Sequence, residues 1–134
     1  MRKLFGLALT AALALPVSAC APPQDEHTWQ VSQVFFNSDA TPTPPAPMYL
    51  VLGRQSFAGD TGCGPINGKL RTNDADETIT IVRVRTPEQL TCEGAEEFYH
   101  GELLRFLTGT LHVERDDDEL TLRNDAGESI HMVY

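Results

Sequence analysis

Positive charge is scarce in this chain of 134 residues: 10 lysines and arginines stand against 19 aspartates and glutamates, a net charge of −9. A surface of that sign repels phosphates and anionic headgroups, which argues against nucleic acid or a membrane surface as the partner. Cysteine is scarcer still: Cys20, Cys63 and Cys92 are the three copies, and they form no CxxC pair. The four histidines, His27, His100, His112 and His131, include no HxxxH. Structural zinc therefore has no ligand spacing to rest on. Past residue 20 there is no apolar run long enough to span a bilayer. No internal repeat is visible.

One apolar run is present, at the start. MRKLFGLALTAALALPVSAC opens with Arg2 and Lys3, continues apolar from Leu4 to Val17, and reaches small residues before Cys20. This is the pattern of a secretory signal over residues 1–19. Val17-Ser18-Ala19-Cys20 resembles the lipobox of bacterial lipoproteins. That resemblance implies a diacylglyceryl group on the Cys20 sulfur, a tether over residues 20–27, and attachment to the outer face of a bacterial membrane, on the periplasmic or cell-surface side. Ordinary cleavage after Ala19 is the alternative. Either cut removes Arg2 and Lys3, leaving 8 basic against 19 acidic residues and a net charge of −11.

From residue 28 to 134 the pattern is that of one small domain. TWQVSQVFF alternates as a half-buried strand does, and NSDATPTPPAP at 37–47 interrupts it with four prolines, predicting a surface loop. MYLVL and QSFAG, separated by Gly53-Arg54, read as two short strands or one bent one, and NGKLRT and ETITIVRVR as further strands. In the last, apolar positions switch from Ile79 and Ile81 to Val82 and Val84, which predicts a bulge or burial on both faces. From Glu93 to Leu107 the spacing of Ala95, Phe98, Tyr99, Leu103, Phe106 and Leu107 predicts a helix, with Gly109 ending it. Three strands follow, with Leu111/Val113, Leu120/Leu122 and Ile130/Met132/Tyr134 inward and DDDE and NDAG as turns. The expected fold is an α+β domain of about eight short antiparallel strands with one helix packed on the sheet.

The stretch GDTGCGPINGK, residues 59–69, has the look of a site. A Walker-type phosphate loop needs four residues between its glycine and Gly-Lys. Gly62 is one residue too far, Gly64 one too near, and Leu70 stands where a Ser or Thr would ligate Mg²⁺. A nucleophilic cysteine needs a base nearby, and no histidine has a recognisable spacing to Cys63. NDADE and RDDDE lack the glycine and closing glutamate of an EF-hand loop, so they read as solvated turns. No metal and no cofactor are expected. With Cys20 lipidated, Cys63 and Cys92 remain in an exported chain, most simply as a disulfide closing a loop of about 30 residues. Two buried free thiols are the alternative. On the chain-entropy account such a bridge contributes about 3–4 kcal/mol.

Residues 48–70, MYLVLGRQSFAGDTGCGPINGKL, resemble the signature of the META domain as found in HslJ-like bacterial lipoproteins. Gly59, Gly62, Cys63 and Gly68 match its positions, Cys92 before a helix with Glu96 or Glu97 and Phe98 matches its second landmark, and Trp29 agrees near the start. The chain departs from the pattern at Gly64, where asparagine is usual, and in the prolines of 42–47, which look inserted. The resemblance implies a β-rich envelope domain linked to stress and antibiotic tolerance, with no catalytic set to carry over. The expected function is thus a non-enzymatic, lipid-anchored envelope protein that binds an unknown envelope protein or small ligand. An acidic inhibitor or binding module for a cationic protein such as lysozyme is the second expectation.

Overall fold

The computed structural model describes residues 27–38 and 41–134. The expected signal segment, the lipidation site Cys20 and all but His27 of the tether lie outside the described residues. Eight strands, β1 (Thr28–Phe35), β2 (Tyr49–Leu52), β3 (Ser56–Asp60), β4 (Pro65–Asn73), β5 (Thr78–Arg85), β6 (Gly109–Asp116), β7 (Glu119–Arg123) and β8 (Ser129–Val133), are joined by one helix, α1 (Ala95–Phe106), between β5 and β6. Each strand pairs antiparallel with the next in sequence, and β1 also pairs with β8 over Gln30↔Val133 to Phe35↔Ser129, closing the sheet into a barrel. The expected antiparallel arrangement of about eight short strands with one packed helix is present in a more specific form: the sheet closes on itself, and α1 covers one end. Closure satisfies the backbone groups that β1 and β8 would otherwise expose as sheet edges.

Strict alternation sends one side-chain row of every strand into the barrel. Trp29, Leu50, Leu111, Leu122 and Ile130 are fully buried there, with Ile66, Leu120 and Met132 nearly so. The switch in β5 is a bulge: Leu70 pairs with Ile81 and Lys69 with Arg83, so Val82 stands unpaired and exposed while Val84 packs against the core. Tyr134, expected inward, is 59% exposed. It follows the last strand and stacks on His27, with ring centroids 4.5 Å apart, at the barrel's rim. The helix is shorter than its periodicity suggested, since Glu93 precedes it and Gly109, at φ 68°, turns the chain into β6 instead of capping α1.

In an up-and-down barrel alternate connections share an end. The β1–β2, β3–β4 and β7–β8 links therefore meet α1 at one end. There Tyr99, His100, Leu103 and Phe106 are buried, and Phe106 lies 5.7 Å from Phe36 between ring centroids. The proline-rich link is tied to this cap: Tyr99 donates its hydroxyl to the Thr41 carbonyl at 2.6 Å, and Val34 N–H donates to Pro42 at 2.8 Å. The β2–β3, β4–β5 and β6–β7 turns, with Thr28 and Val133, form the other end, which no helix among the described residues covers.

Candidate functional site

At the capped end, Cys63 and Cys92 are joined in a disulfide with Cα atoms 5.2 Å apart, fastening the β3–β4 turn to the segment that leads into α1. Asp60 accepts the Gly62 N–H at 2.8 Å, and Gly62 takes φ 85°, a conformation that favours glycine. Gly59 and Gly68 serve a different purpose. Gly59 pairs with Leu50 and Gly68 with Phe57, and a Cβ on either would run into main chain and those side chains. The two glycines thus make room for Leu50 and Phe57 in the core. Of the other residues matched to the family pattern, Trp29 is wholly buried, whereas Phe98 is 43% exposed on the outer face of α1 and makes an edge contact with Tyr99.

Two polar groups beneath the cap escaped the sequence reading as partners. His100 is buried with Nδ1 2.6 Å from the Thr61 hydroxyl and Nε2 3.3 Å from that of Thr86. Thr61 Oγ1 accepts the Cys63 N–H, so a neutral ring protonated on Nε2 satisfies all three contacts. Burial lowers the His100 pKa, and nearby Glu97 only partly opposes this. Glu128, in the β7–β8 turn, is buried and receives two bonds from Arg105, at 2.9 and 2.6 Å, one from Asn124 and one from the Asn37 N–H. The Arg105 bonds pull its pKa down to about 2 against the opposing effect of burial. This carboxylate ties α1 to both flanking loops.

The open end holds a cavity of about 310 Å³ with apolar walls from Leu52, Ile79, Val113 and Leu120. Arg115 lines it and continues the inward row of Leu111 and Val113, yet it is exposed, as a side chain at an open mouth must be. Its guanidinium lies 5.3 Å from the Trp29 ring centroid. The Trp29 indole N–H is buried and has no hydrogen-bond partner among the described residues. Arg54 and Asp74 pair at 2.8 Å across the rim. Asp76, Glu77 and residues 116–119 are exposed on the two neighbouring turns. The alternation Leu111-x-Val113-x-Arg115 was the available signal for the mouth, hidden because Arg115 also begins the acidic run RDDDE.

His112 faces Asp125 at 3.1 Å, and His131 lies against Phe35 at 5.2 Å between centroids. Among the described residues no group of three or more His, Cys, Asp or Glu side chains is placed to hold a metal ion. No helix among them is long and apolar enough to cross a membrane.

Compared with known proteins, the chain matches the family model of the META domain over residues 22–133. It is similar to a protein from Burkholderia xenovorans solved by NMR, with 18% identity, a TM-score of 0.62, and coverage of 90% of this chain and 96% of that one. A second NMR structure is similar at 14% identity and a TM-score of 0.58, covering 81% of this chain and 90% of that one. At these identities the likeness is one of fold. No curated protein matches the chain.

Proposed function

Since this chain belongs to the META domain family, we propose that it is a non-enzymatic envelope protein, anchored by a lipid on Cys20, that acts by binding a partner. Its role is in envelope maintenance or in tolerance of stress and antibiotics. The observation that carries this reading is the commitment of Cys63 to a disulfide, which removes the one thiol set in a site-like loop from nucleophilic chemistry. The filled barrel interior supports it too, because an eight-stranded barrel packed with its own side chains takes partners at its ends and outer surface. Thr28 begins at the open end, so a tether from Cys20 holds that end within roughly 28 Å of the membrane.

Metabolic labelling with a radiolabelled fatty acid tests the anchor. Label is expected on the native chain and absent from Cys20→Ala; label that survives the substitution refutes it. Crosslinking in intact cells, followed by identification of the captured protein, tests the binding role. A second reading, a module for a cationic protein such as lysozyme, draws on the exposed acids gathered on the turns of the open end. It predicts retention of cationic hydrolases at low salt and release at moderate salt. Failure to retain any such protein at low salt removes it.

A further inference from the structure

We propose that the open mouth of the barrel captures the C-terminal end of a basic polypeptide whose last residue is apolar. The inference rests on reading the chain as a binding protein, and it names the chemistry of the partner. Three features of the mouth each require one part of such a ligand. Its walls, Leu52, Ile79, Val113 and Leu120, call for an apolar group, and a volume of about 310 Å³ is at the low end for a small-ligand site, so a terminal side chain enters rather than a length of chain.

Within the mouth, Arg115 calls for a carboxylate. It occupies an inward register position and its side chain makes no ion pair or hydrogen bond among the described residues, although carboxylates flank it on both sides in sequence. Glu114 instead reaches Arg123, at 3.6 Å. The Trp29 ring carries the guanidinium, and the same indole holds a buried N–H without an acceptor among the described residues. A planar guanidinium with free donors binds a terminal carboxylate through two parallel bonds. Toward the rim the wall also carries acids, Asp74, which is paired with Arg54, and Glu77. Asp76 and residues 116–119 add exposed negative charge around it, and with Glu77 they repel a simple anion and attract cationic residues preceding the C-terminus. A fatty acid would satisfy the walls and Arg115 while being repelled by this rim. A basic peptide end satisfies all three.

Trp29 is the only tryptophan of the chain, and it touches Arg115, so its fluorescence reports on the mouth directly. The test titrates the full chain with N-acetyl-Lys-Lys-Ala-Leu bearing a free carboxylate, and with the same peptide amidated. The free acid is expected to give a saturable change and to bind about tenfold or more tightly than the amide, as befits a charge-assisted contact. Arg115→Gln is expected to abolish that preference, and Arg115→Lys to keep part of it. Equal binding of acid and amide by the native chain overturns the proposal, as does a preference that survives Arg115→Gln, or no saturable signal. A purely structural role for Arg115 on the indole gives no acid-over-amide preference. Decanoate binding as tightly as the peptide would also overturn it in favour of a lipid-type ligand. None of these results bears on the fatty-acid labelling of Cys20, so the two readings fail separately.

Discussion

The two ends of this barrel treat polar groups in opposite ways. Under the helix, His100, Thr61 and Glu128 are buried and each has its partners within hydrogen-bond distance. At the open mouth, Arg115 and the acids of residues 116–119 are exposed, and the Arg115 guanidinium lies over the Trp29 ring. Burial makes a paired group costly to disturb and an exposed one cheap to change. The closed end is therefore where substitutions should cost stability, and the mouth is where they should alter recognition and leave the fold intact.

The largest effect expected at the closed end comes from the disulfide. Cys63→Ser with Cys92→Ser opens a loop spanning 29 residues of sequence. A loss of about 3–4 kcal/mol is expected, read as a lower midpoint in urea or thermal unfolding. Reduction of the native chain should match the double variant; no change on reduction would show that the clasp contributes little.

Glu128→Gln comes next. The carboxylate is buried, while the Arg105 side chain is 47% exposed and keeps water after the substitution. The expected cost is therefore about 2 kcal/mol, below that of breaking a fully buried pair. The pH dependence has a defined sign. Because the folded-state pKa is depressed from 4.5 to about 2, this contribution is full above about 4.5 and is lost as pH falls through about 2. Glu128→Gln should flatten that acid limb in denaturation curves taken across the same range.

His100 gives a smaller effect in a higher window. Its folded pKa is lowered by burial from the ordinary 6.5, so the unfolded chain binds the proton first. Stability is then full above about 6.5 and declines as pH falls below it, until the folded state also takes the proton. His100→Gln should remove this slope at a cost of about 1 kcal/mol at neutral pH. An unchanged slope would locate the titration elsewhere.

The same contrast governs what could be read before the structure. Strands and the bulge at Val82 rest on local spacing, and local spacing is printed in the sequence, whereas the pairing of Cys63 with Cys92 followed from the cysteine count of an exported chain. Closure depends on β1 meeting β8, elements from opposite ends of the domain, and alternation looks the same in an edge strand and a closed one. Phe98 shows the converse failure: its spacing suits a core face, but α1 covers an end rather than a sheet and leaves that residue outside. Glu128 lay unnoticed because its partner Arg105 stands 23 residues away, on another element. At the mouth, Arg115 was masked by the acidic run it begins, although its inward register follows from Leu111 and Val113.

The smallest predicted stability effect separates the two ends most sharply. Arg115 is exposed and contributes a single cation–π contact with Trp29, worth about 0.5–1 kcal/mol at such a site. Arg115→Gln should therefore shift the unfolding midpoint by no more than that, several times less than opening the disulfide. Its effect on Trp29 emission should be plain, because the charge over the indole is gone while the ring stays buried. If Arg115→Gln instead destabilises the chain as much as Glu128→Gln does, the arginine belongs to the structural framework and the mouth is no longer the end that tolerates change. If stability holds while the acid-over-amide preference for a basic peptide disappears, the division between a fastened end and a recognising end stands on two independent measurements.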